Sequence, residues 1–158
     1  MKIFTTIFMA LAIFAGLVLA LTPFVADKFF PVPENQVRKA KPEMAANALK
    51  QWFNSPDALF TDVQALNKSS AGKRTSWFSF SVGRRPVEKY IIDKKLQQTD
   101  LDNDQLKAHF FITKRPASWW QPEAINQKTF FTGVDQGRAV SLIYNPDSKR
   151  GVLVTTTK

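Results

Sequence analysis

The sequence predicts an α+β chain: one N-terminal transmembrane helix, then a small domain with a mainly antiparallel sheet and two or three short helices. Three observations carry that prediction. Residues 3–26 contain no charged side chain. Residues 42–53 repeat apolar side chains at helical spacing. The strand-like segments gather in runs instead of alternating strictly with helices, which favours α+β over a parallel sheet.

From Ile3 to Ala26 most residues are Phe, Ile, Leu, Val or Ala. A helix over this stretch is about 36 Å long, enough to cross a hydrocarbon core of about 30 Å. Lys2 precedes it and Asp27-Lys28 close it, so residues 1–28 are expected to be a signal anchor. A cleaved signal peptide ending at Val18-Leu19-Ala20 is the competing reading, disfavoured because the apolar run continues past Ala20. Ala12, Gly16 and Ala20 share one face of this helix and mark a surface for packing a second copy, hence a homodimer through the membrane.

Orientation has two opposing indications. Lys28, Arg38, Lys39 and Lys41 follow the span whereas Lys2 alone precedes it, which by the positive-inside rule would hold the domain in the cytoplasm. The short Lys-bearing tail resembles an export signal, and the basic cluster starts well beyond the span. The expectation is therefore a single-pass protein of a bacterial-type inner membrane, with its C-terminal domain in the periplasm.

Residues 29–41 read as a linker. Phe29-Phe30-Pro31-Val32-Pro33 is an extended connector, since two prolines so close cannot lie inside a helix. Residues 42–158 read as the extracytoplasmic domain. Pro42 suits a first helical turn, Met44, Ala48 and Trp52 form a stripe with Ala45 and Leu49 beside them, and Asn54-Ser55-Pro56 ends the helix. Residues 59–66 read as a strand, 67–74 as a loop, and 75–82 as a strand whose Phe78, Phe80 and Val82 face a core while Trp77, Ser79 and Ser81 face a partly wet side.

Residues 85–95 and 103–110 read as short helices. For the second, Asp102 is the expected N-cap, with Gln105 three residues on and Leu101 and Leu106 at the staple positions. Residues 112–122 read as turn-rich. Strands are expected at 129–134, 139–144 and 152–157, the last two forming a hairpin around the polar loop 145–151.

Composition narrows the chemistry. Cysteine is absent, which removes disulfides, thiol nucleophiles and thiolate metal sites. His109 is the single histidine, and no Gly-x-Ser-x-Gly elbow accompanies it, so a half-buried structural role is expected. Asp100, Asp102 and Asp104 alternate like the opening of a calcium loop, but Gln105 and Phe111 stand where Gly and Glu belong. No glycine-rich phosphate loop occurs. The expectation is no cofactor, no metal, and no enzymatic site.

The net charge is +9 and the basic residues recur in doublets. Trp119-Trp120 is the most distinctive pair, with either one ring in the core and the other exposed, or both covering an end of the sheet. The expected partner-binding residues are Trp119, Trp120, Arg115, Lys114, Arg84 and Arg85. The reading is a membrane-tethered interaction module of the cell envelope that engages a protein partner. A binder of anionic polymer or anionic lipid is the alternative, since basic residues beside aromatic rings suit either. An enzyme with an unrecognised site is the third reading.

Overall fold

A computed structural model describes residues 36–70, 72–112 and 114–157. The expected membrane anchor, with Ala12, Gly16 and Ala20, lies outside the described residues, as does the Phe-Pro connector. Among the described residues no helix is long and apolar enough to cross a membrane.

The described part is a small domain built on one antiparallel sheet of seven strands, with three helices among the described residues. In chain order the elements are β1 (Gln36–Lys39), α1 (Pro42–Trp52), β2 (Thr61–Ser70), β3 (Lys73–Ser81), α2 (Arg84–Asp93), β4 (Gln97–Asp100), α3 (Asn103–Leu106), β5 (Thr129–Asp135), β6 (Arg138–Asn145) and β7 (Arg150–Thr157). The sheet order is β1-β2-β3-β7-β6-β5-β4, and every neighbouring pair is antiparallel. After β3 the chain crosses through α2 to the far edge at β4. It then returns strand by strand until β7 docks beside β3.

Several boundaries differ from the sequence reading. The stretch assigned to a linker supplies the edge strand β1, paired from Gln36↔Ser69 to Lys39↔Leu66. Backbone hydrogen bonds make that pairing, and they leave no mark in side-chain type. The expected loop over 67–74 is instead the tip of a long β2–β3 hairpin that continues to the Ser70↔Lys73 pair, with Gly72 at φ +76° in the turn. Strand β4 is polar throughout and was not anticipated. The expected helix over 103–110 starts where its cap predicts: Asp102 Oδ1 accepts from the Gln105 N–H at 2.7 Å. It then widens into a π-helical turn at Lys107–Phe111, and a 3-10 turn follows at Pro122–Ile125.

The sheet is covered on both faces. On one, α1 and α2 bury Ala45, Leu49, Phe53, Val87 and Tyr90 against Phe78, Phe80, Val140, Leu142 and Leu153. Phe53, just beyond α1, stacks on Tyr90 of α2 at 4.4 Å between centroids, joining the two helices. Asp135, 5 % exposed, closes one side of this layer by pairing with Lys94 at 2.9 Å and Arg138 at 3.9 Å. Burial, and secondarily the Asp135 carboxylate, raises the Tyr90 phenol far above its ordinary range.

On the other face the excursion from α3 to the 3-10 turn packs Phe110, Trp120 and Ile125 over Leu66, Trp77, Phe130, Ile143, Val152 and Val154. The face of β3 expected to be partly wet carries a second core at Trp77, which is 3 % exposed, while Ser79 and Ser81 on the same face are half-buried. Alternation in β3 indicated two unlike faces. That a remote segment covers the second follows from the tertiary fold.

Two glycines are dictated by backbone geometry. Gln136 and Gly137 have φ values of +50° and +77°, the pattern of a type I′ hairpin turn joining β5 to β6. At Gly151 a Cβ would stand 2.7 Å from the Phe80 ring, so only glycine lets the aromatic lie against β7.

Candidate ligand-binding groove

The excursion layer stops short of the β1–β2–β3 end of the sheet, and a groove of about 350 Å³ lies there. Its apolar lining comes from Leu66 of β2, Trp77 of β3 and Val37 of β1, with Phe111, Ile112 and Pro116 of the excursion. The ammonium-bearing side chains of Lys68, Lys73 and Lys114 line it as well, and no acidic residue does. The β2–β3 hairpin extends beyond the layer that covers it, which puts Lys68 and Lys73 beside an apolar surface. An apolar slot with cations and no carboxylate suits a ligand that is apolar along its length and anionic at one end.

The wall of this groove is set by the π turn. Phe110 is fully buried, while its neighbour Phe111 is half-buried and lines the groove. Ile112 then adopts φ +67° and ψ −64°, the dihedrals of a γ turn, which are strained for a β-branched residue. Ile112 and Lys114 form an isolated bridge, and both line the groove. Ile112 is 45 % exposed, an apolar side chain left open to the slot.

The structure separates the residues that sequence grouped as one partner-binding set. Trp120 is 0 % exposed and its indole donates to the Phe110 carbonyl at 3.0 Å, so it is a core residue. Trp119 is half-buried and packs edge-on against Trp120, with ring centroids 5.8 Å apart. Of the two arrangements that sequence allowed, one ring plugs the core and the other reaches the surface only in part. Arg115 donates to the Trp120 carbonyl at 3.0 Å, pairs with Glu123 and lies over the Phe111 ring at 5.4 Å. It braces the excursion. Lys114 alone of the six lines the groove.

Arg84 and Arg85 lie elsewhere, at the start of α2 on the helical face. Arg84 pairs with Glu88 at 2.6 Å, and Arg85 lines an open hollow with Pro86, Lys89 and the Asn54–Ala58 loop. The sequence reading missed Lys68, Lys73, Phe111 and Ile112. The Lys68-Ser69-Ser70 stretch that ends β2 has the composition of a loop, and only the hairpin register brings it opposite the π turn.

His109 Nδ1 lies 3.0 Å from the Ser141 hydroxyl, and its ring is tilted against Phe130 at 4.8 Å. Burial lowers its pKa. Neither residue lines the groove or the hollow at Arg85. Asp102, from the alternating acidic triplet, is engaged as the α3 cap. Comparison with family models, with curated proteins and with solved structures finds no match to this chain.

Proposed function

We propose that the chain is a membrane-tethered, non-enzymatic binding module of the cell envelope whose ligand is an anionic amphiphile, with an anionic lipid as the source. The apolar segment 3–26 supports the tether, and a domain held at a bilayer meets lipid at high local concentration. The observation that carries the ligand class is the groove: apolar walls at Leu66, Trp77, Phe111 and Ile112, cations at Lys68, Lys73 and Lys114, and no acid. An acyl chain takes the walls, and the head group takes the ammonium groups, each worth about 1 kcal/mol near an anionic surface. The partner-protein reading loses its principal anchor, because Trp120 is buried.

Photo-crosslinking tests this reading. Full-length protein is reconstituted in vesicles of phosphatidylcholine with or without phosphatidylglycerol, each carrying a photoactivatable acyl chain. Crosslinks are expected at Phe111, Ile112 and Trp77, stronger with the anionic lipid. They should be lost when Lys68, Lys73 and Lys114 are all changed to Gln. Crosslinks confined to residues 3–26, or equal capture of neutral lipid, would reject the proposal.

A further inference from the structure

On the opposite face of the sheet, beside α1, a second cavity of about 270 Å³ has a different chemistry. We propose that it is a binding site for a phosphate group, as phosphate itself or as a phosphomonoester.

Strand register builds it. Asn67 faces Ser76 across β2–β3, and Ser76 faces Thr155 across β3–β7, giving one polar row. In the next row Arg74 faces Thr157, and Thr157 faces Arg138 on β6. All six line the cavity, and no acidic residue does. Strand alternation keeps them on the face otherwise occupied by Phe78, Val140 and Leu153.

Two observations separate this cavity from an ordinary polar surface. Ser76 is 7 % exposed and Thr155 5 %, and among the described residues neither hydroxyl has a hydrogen-bond partner, so both oxygens are open to solvent at the cavity wall. Hydroxyls that stay open at a cavity wall, on residues otherwise almost wholly buried, are free to donate to a group that enters it. The second observation is the state of the arginines. Arg138 lies over the Trp52 ring at 4.8 Å, donates to Gln136 at 3.1 Å and stands 3.9 Å from Asp135. Lys94 is closer to that carboxylate, at 2.9 Å, so two cations share one anion and positive charge is left over. The Arg74 guanidinium has no partner among the described residues. The open Arg74 fork, the remaining N–H groups and charge of Arg138, two hydroxyls and an amide around a small volume match the acceptor oxygens of a tetrahedral dianion. This site is independent of the lysine-lined groove, which lies on the other face.

The test titrates full-length protein in neutral detergent with inorganic phosphate at constant ionic strength, following the NMR signals of the Trp52 indole and the Ser76 and Thr155 amides. Saturable shifts at all three are expected. Arg74→Gln and the near-isosteric Thr155→Val should each weaken binding about tenfold or more, as loss of a bond to a charged group does. Lys114→Gln should leave it unchanged. Arg74 is exposed, so its replacement leaves the fold intact. Shifts that rise without saturation, or an equal loss in Lys114→Gln, overturn the site. Glycerol phosphate and phosphatidic acid vesicles then identify the source. Capture of the soluble ester alone assigns a free phosphomonoester, capture of both assigns a lipid head group too, and capture of neither overturns the proposal.

Discussion

The indole nitrogens of Trp77 and Trp120 donate to a single acceptor, the Phe110 carbonyl, at 3.1 and 3.0 Å. Trp77 belongs to the sheet and Trp120 to the excursion above it. The π turn ends the regular helical bonding of that carbonyl and leaves it to the two rings. One oxygen thus fastens the second layer to the sheet.

This shared acceptor predicts non-additive mutations. Trp77→Phe and Trp120→Phe each leave Phe110 with one donor and should cost about 1 kcal/mol beyond the change in ring size. The double variant strands a buried carbonyl, and its loss should exceed the sum of the single losses by about 1 kcal/mol. Thermal melts of the full-length protein in neutral detergent measure this. Simple additivity would mean that the two bonds are not coupled.

Arg115 holds the excursion through the Trp120 carbonyl and Glu123. Its ion pair is about 43 % exposed on the arginine side, so Arg115→Ala should cost only about 1 kcal/mol. The sharper effect is local: cleavage by added protease should rise between residues 115 and 123. Arg115→Lys should not restore protection, since an ammonium group lacks the fork that serves both partners.

His109 supplies a pH dependence. Burial lowers its folded pKa, whereas the unfolded chain keeps the ordinary value of about 6.5. The unfolded state therefore binds more protons as pH falls through that value. The associated stability is fully present above about pH 6.5 and is lost on acidification toward the folded pKa. Comparing Tm at pH 7 and pH 5 should show a larger drop for the native protein than for His109→Gln. Equal drops would remove His109 as the titrating group.

Gly151→Ala tests the close approach of Phe80 to β7. The added methyl meets the ring at 2.7 Å in a packed core, so destabilisation of about 1–3 kcal/mol is expected. Gly151→Ala combined with Phe80→Leu should recover part of it, because the smaller side chain gives the methyl room.

Local patterns were read well where a short segment carries its own cause. The Asp102 cap depends on residues three apart, and the structure has its hydrogen bond. The helical period of α1, the alternation of β3 and the terminal β6–β7 hairpin follow from side-chain period and turn composition in the same way. The face of α1 that packs, however, is Ala45 and Leu49, and Met44 of the expected stripe is 66 % exposed. Strands β1 and β4 were missed because they are short and polar, and lie at the sheet edges, where backbone pairing decides. The groove was legible only through Lys114. Its other cations and walls come from segments whose meeting depends on the β2–β3 register and the π turn.

The amino-acid sequence by itself determined the apolar N-terminal segment, the α+β class with its antiparallel pairing, the single histidine and the excess of positive charge. Those are properties of composition and of periods only a few residues long. Tertiary structure alone decided that both faces of the sheet are covered, that Trp120 is core, and which basic residues collect around one cavity. These depend on contacts between strands and loops distant in the chain, where burial and register select among side chains that look equivalent in sequence.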